Sequence, residues 1–74
     1  MTVGQSLKKV RKNFALTQKQ VAEKANLSYR SYQEYEGDRI IPPVTAIIAL
    51  ADFFNVSIDY LVGRTDNPAI NRGA

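Results

Sequence analysis

Cysteine, histidine and tryptophan are all missing from these 74 residues. Without cysteine there is neither a disulfide staple nor a thiolate metal site, and without histidine the usual neutral-pH proton shuttle and metal ligand is gone. Asp52 and Asp59 are spaced as helix-surface or capping residues, and no nucleophile with a base or Gly-rich phosphate loop accompanies them. An enzyme is therefore not expected, and no cofactor is called for. No apolar run is long enough for a signal peptide or a membrane span, so the chain reads as soluble and cytoplasmic. No helix combines a broad exposed apolar face with a basic one, which argues against a membrane-surface role. Strand patterns, internal repeats and low-complexity blocks are absent as well.

What is present is one small domain's worth of chain, in which burial and chain entropy are nearly balanced and every apolar face is needed. Net charge is +3, and it is unevenly placed. Residues 1 to 39 carry eight Lys or Arg against four acids, and residues 40 to 74 carry two against three. The positive potential thus belongs to the first half, which suggests an anionic partner, nucleic acid before membrane surface. A basic small domain with no polyanion partner is the competing reading.

Leu7, Val10 and Phe14 recur at helical spacing with lysines between them, predicting an amphipathic first helix that stops near Ala15. Thr17 and Gln20 form a capping box for a second helix, whose stripe is Val21, Ala22 and Ala25. Asn26 suits the left-handed residue that ends it, and Ser28 is a good N-cap for a third. Two helices separated by such a short turn have helix-turn-helix spacing. The third runs from about Tyr29 to Glu36 and is ended by Gly37-Asp38, with Pro42-Pro43 bounding the loop. Ile47, Leu50, Ala51 and Phe54 mark a fourth helix. Ser57 caps a fifth, Ile58 to Val62, stopped by Gly63. The domain is expected over 1–66, with 67–74 as a flexible tail.

On a wheel of about 100° per residue, Ser28, Ser31, Tyr32 and Tyr35 share one side of the third helix. Tyr29, Arg30, Gln33 and Glu34 share the other. Tyr32 and Tyr35 are expected in the core, packed on the first, second and fourth helices, with each phenol oxygen reaching the rim or a partner. The second group is a strip of hydrogen-bonding side chains at the start of a helix that follows a tight turn. A major groove admits one helix, and only its leading residues reach base edges. Arg30 can bond a guanine twice, Gln33 can pair with adenine, Glu34 can accept from a cytosine amino group, and Tyr29 can touch a thymine methyl or a phosphate. A solvated helix face is the bland alternative.

These residues resemble the helix-turn-helix family of the phage repressor and Cro proteins, also called the XRE family. The resemblance covers roughly Leu7 to Asp66 and is carried by LKKVRKNFALTQ at Leu7 to Gln18, VAEKANLS at Val21 to Ser28 and YEG at Tyr35 to Gly37. It continues through Pro42-Pro43 and LADFFNVSIDYLVGRTD at Leu50 to Asp66. It implies an all-α, compact five-helix, lambda-repressor-like DNA-binding domain with the third helix in the major groove, and the docking geometry used above is the family's own. By the same resemblance Gln18 grips a phosphate at the start of the second helix. Ser28, Lys19 and Arg39 are further phosphate candidates, with a solvated charge the rival for Lys19. Arg11 and Glu36 match a structural ion pair. Two departures stand out: Asn26 where relatives often have glycine, and Asp38 one place after Gly37, where glycine is usual. The second puts an acid near the expected phosphate. Ile40 and Ile41, often polar in relatives, are expected to pack in the loop against the fourth helix, a subunit contact being the alternative.

The function this implies is a sequence-specific double-stranded DNA-binding regulator of transcription, a repressor on an inverted-repeat operator, acting as a homodimer. The fifth helix with the tail is the first candidate for the dimer surface. An antitoxin-like or other protein-interaction module on the same fold is the second reading, with an unidentified protein partner.

Overall fold

Four hydroxyl side chains start four of the five helices in the computed structural model, which describes residues 1–70. Thr2 opens α1 (Val3–Asn13), Thr17 opens α2 (Gln18–Lys24), Ser28 opens α3 (Tyr29–Glu36) and Ser57 opens α5 (Ile58–Leu61). Each oxygen accepts from the backbone N–H three residues on, satisfying a donor that the helix itself cannot. Only α4 (Val44–Phe54) lacks a side-chain cap; it starts from Pro43, held extended at φ −66°. Thr2 and Gln5 form the same reciprocal box as Thr17 and Gln20.

A left-handed residue follows every helix: Ala15, Asn26, Asp38, Asn55 and Gly63. Only the last is glycine, and of the other four Ala15, at φ 56°, is the one without a side chain able to bond its own backbone. These five reversals fold a short chain back on itself five times. α1 then lies against α3 and α5, α2 against α3, and α4 against α5. Leu7 and Val10 meet Val21, Ala22, Tyr32, Tyr35, Leu50, Ala51, Phe54, Tyr60 and Leu61 in one core. Ile47, Leu50, Ala51 and Phe54 are all buried, so the register expected of α4 is the register found. No strand is present among the described residues.

Three expectations need correcting. Ile40 and Ile41 do not pack against α4: Ile41 is 87% exposed, because Pro42, itself buried, takes the inward position and turns the preceding residues out. Val44 and Ile48, one turn apart on α4, are exposed as well. Phe14 is half exposed, since α1 has ended before it; its ring meets Phe54 edge-on at 5.3 Å and closes the rim of the core. The Tyr32 hydroxyl reaches neither rim nor hydrogen-bonding partner, being fully buried.

Of the residues expected as a tail, 71–74 lie outside the described part. In the described part the Pro68 carbonyl accepts from the Ser57 N–H at 2.9 Å. α5 buries Tyr60 and Leu61 and leaves Ile58 exposed.

The loop after α3 is tied to the start of α1. Asp38 accepts from the Thr2 hydroxyl at 2.6 Å and from the Gly4 N–H at 2.9 Å, so its carboxylate sits on the positive end of α1. These hydrogen bonds hold the Asp38 pKa below its usual value. The fit depends on Gly4, where an added Cβ would lie 2.4 Å from the Glu36 carbonyl oxygen and 2.8 Å from the Asp38 carboxylate. Gly4→Ala is therefore expected to destabilise the domain by about 1 to 3 kcal/mol, as overpacking does. Chemical denaturation checks this, and an unchanged midpoint would show that the loop yields without loss.

Candidate nucleic-acid interface

The turn from α2 into α3 is set by Asn26 at φ 58°, with the Leu27 N–H donating to the Ala22 carbonyl at 2.8 Å. Ser28 then accepts from the Ser31 N–H at 3.0 Å and fixes the first turn of α3. Tyr32 is fully buried and Tyr35 nearly so, which marks the inward face of the helix. With those two rings inward, Tyr29 and Arg30 project outward and are exposed, and Gln33 and Glu34 are half-buried along the same strip. Arg30 makes no ion pair among the described residues. A guanidinium at the first turn of a capped helix is thus left with all its donors available for a planar acceptor.

The last residue of α3 anchors it. Glu36 receives two hydrogen bonds from Arg11, Nε at 2.9 Å and Nη2 at 2.7 Å, and a third from Gln18 Nε2 at 3.2 Å. Arg11 Nη1 also donates to the Leu16 carbonyl at 2.8 Å, so one guanidinium holds the α1–α2 turn and the end of α3 together. The two side chains are 14% and 3% exposed, which makes this a buried pair. Burial pushes the Glu36 pKa up, but the hydrogen bonds from Arg11 and Gln18 outweigh that and hold it below the ordinary value. Burial, reinforced by the Glu36 charge, drives the Tyr32 hydroxyl pKa well above its usual value.

The phosphate candidates are placed differently from one another. Gln18 gives one amide hydrogen to Glu36 and keeps the other, at the start of α2. Lys19 is exposed beside it, and Ser28 is exposed with its oxygen engaged as a cap. Arg39 is not free: its Nε donates to Glu34 Oε2 at 3.0 Å. That pairing joins a phosphate candidate to a base-reading candidate. Nothing in the sequence announced it, since five residues across a helix end is not a helical spacing. The acid expected beside a phosphate, Asp38, is instead drawn to the N-terminus of α1.

The helix-turn-helix family profile matches residues 7–61. The chain belongs to this family. The immunity repressor protein of Bacillus phage phi105 is 43% identical over 64 residues, spanning 86% of this chain and 44% of the relative. The HTH-type transcriptional regulator ImmR of Bacillus subtilis (strain 168) is 36% identical over 66 residues, spanning 89% of this chain and 52% of the relative. This chain spans about half the length of the curated relatives it matches. Among solved structures, the P22 c2 repressor in complex with a synthetic operator superposes with a TM-score of 0.82 at 20% identity, over 88% of this chain and 98% of that one. A transcriptional regulator from Listeria innocua gives 0.78 at 31% identity, over 86% of this chain and 60% of that one. The fold is accordingly that of the lambda-repressor-like DNA-binding domains.

In this helix-turn-helix protein the Arg11–Glu36 pair is expected to govern stability. Removing one partner of a buried pair leaves the other charge uncompensated, so Glu36→Ala should destabilise by about 3 to 5 kcal/mol. The pair's contribution is full above the ordinary glutamate pKa of 4.5 and is lost as pH falls through the lower folded value. In denaturation measured from pH 7 downward, the gap between wild type and Glu36→Gln should therefore narrow in acid. A gap independent of pH would mean that the carboxylate charge contributes nothing.

Proposed function

We propose that this domain is a sequence-specific double-stranded DNA-binding regulator of transcription, a repressor that occupies operator DNA through α3 in the major groove. One observation carries the reading: Tyr29 and Arg30 stand exposed on the first turn of a capped helix whose opposite face is locked in the core. Family membership and the relatives named as repressors support it.

In this role Arg30 bonds a guanine edge twice, Gln33 and Glu34 address neighbouring bases, and the Tyr29 ring lies against a thymine methyl or the backbone. Gln18, Lys19 and Ser28 take phosphates, which position the helix without reading sequence, and Arg39 reaches a phosphate while paired with Glu34. No step of this requires chemistry on the DNA. One such helix covers only a few base pairs, so the protein acts as a homodimer on an inverted repeat with half-sites roughly 34 Å apart. The setting is the cytoplasm; no described helix is long and apolar enough to cross a membrane.

Binding-site selection from random duplex DNA at two salt concentrations tests the reading. The selected motif gives symmetry, and the salt slope gives the number of phosphates neutralised. Arg30→Ala should cost about 1 to 3 kcal/mol and relax one position per half-site. Gln18→Ala should weaken binding to all sequences alike. An Arg30→Ala protein that selects the wild-type motif at every position would remove α3 as the reader.

A further inference from the structure

Arg39 is tied to Glu34 twice. Its side chain donates through Nε to Glu34 Oε2 at 3.0 Å, and its backbone N–H donates to the Glu34 carbonyl at 3.0 Å. The Ile40 N–H joins the same carbonyl at 3.3 Å. Asp38, at φ 60°, supplies the reversal that brings the chain back, and its own carboxylate is held away on α1. The guanidinium therefore has one acid beside it rather than two. It lies over Gly37, where an added Cβ would come within 2.7 Å of Nη1. Its Nη2 approaches the Gln33 carbonyl at 3.4 Å, at the end of α3 where a cation is favoured.

We propose that Glu34 and Arg39 work on DNA as one unit, in which Arg39 is a positioning residue for base reading by Glu34 and not an independent phosphate contact. The proposal rests on the reading of α3 as the groove helix. A lone carboxylate entering a groove between two rows of phosphates is repelled. Pairing with the guanidinium neutralises it, and the Nε hydrogen bond fixes its plane. Only Oε2 is engaged, so Oε1 remains to accept from an exocyclic base amine, the cytosine amino group being the natural donor. Arg39 is 60% exposed and keeps hydrogens on Nη1 and Nη2. It can meet a phosphate oxygen without releasing Glu34. Phosphate, guanidinium, carboxylate and base then form a single chain of charge-assisted hydrogen bonds.

The test is binding-site selection, followed by affinities on the selected duplex and its single-base substitutions, for wild type, Glu34→Ala, Arg39→Ala, Arg39→Lys and the double alanine variant. Melting curves confirm that each is folded. Glu34→Ala should lose preference at one base pair of the half-site by about tenfold or more. Arg39→Ala should lose preference at that same base pair, and the double variant should be no less selective there than either single. Arg39→Lys keeps the charge and is expected to recover overall affinity without recovering that preference, because it has no Nε–H to orient the carboxylate.

The proposal is overturned if Arg39→Ala weakens all duplexes equally while the Glu34-dependent preference persists. It is overturned equally if Glu34→Ala alters preference nowhere. Failure of the wild type to select any motif would instead remove the DNA reading beneath it, so the two failures are distinguishable.

Discussion

A buried carboxylate with three donors around it holds this molecule in register. Glu36 ends α3, Arg11 comes from α1, Gln18 begins α2, and Arg11 also grips the Leu16 carbonyl in the turn between those helices. Apolar contacts among Leu7, Val21 and Tyr32 supply burial but are indifferent to modest rotation of one helix on another. A bidentate guanidinium–carboxylate pair is not indifferent, because two parallel hydrogen bonds fix both distance and direction. Since Glu36 lies one residue beyond Tyr35, fixing it fixes the rotation of α3. That rotation decides that Tyr32 and Tyr35 are buried and that Arg30 faces water. Desolvating two charges opposes folding, and the full set of partners offsets that cost.

The loop after α3 distributes its charges in a similar way, at lower burial. The family resemblance leads one to expect glycine where Asp38 stands, and aspartate takes the left-handed conformation in its place. The substitution brings a carboxylate with it. By capping α1 through Thr2 and Gly4, that carboxylate joins the first turn of the chain to the loop after α3. It also leaves Arg39 to Glu34 alone. Among the described residues the two arginines nearest the ends of α3 thus differ in kind, Arg39 being paired and Arg30 unpaired.

Helix boundaries were legible in the sequence because they rest on local chemistry: Thr17 with Gln20, Ser28, Ser57, and Asn26 in the left-handed turn. The same local chemistry makes the box of Thr2 with Gln5. The register of α4 followed from spacing, since four apolar residues on one stripe admit one burial. Spacing misled at Phe14, where the helical period continues on paper but the chain has already turned at Ala15. Composition misled at Ile41, since apolar character says nothing about which of several loop residues wins the inward place, and Pro42 took it. The sequence points to Asp38 and Arg39 but not to their partners. The contacts Asp38–Gly4 and Arg39–Glu34 depend on a loop path that no periodicity encodes.

The two faces of α3 therefore answer to different physics. The inner face is dry, and its ion pair is shielded from salt by burial, so the orientation of the helix persists across ionic conditions. The outer strip is wet, and its charges are screened by the same ions that compete for DNA phosphates. Tyr29 and Arg30 can change without disturbing the core, whereas Glu36, Tyr32 and Gly4 cannot. Glu34 stands between these regimes. Half-buried on the strip and bound to Arg39 at the helix end, it is the one outward residue whose direction depends on the loop that Asp38 anchors to α1. On the proposed reading of α3, sequence preference at Glu34 would in this way be coupled to the packing of the first helix, two elements away from any base.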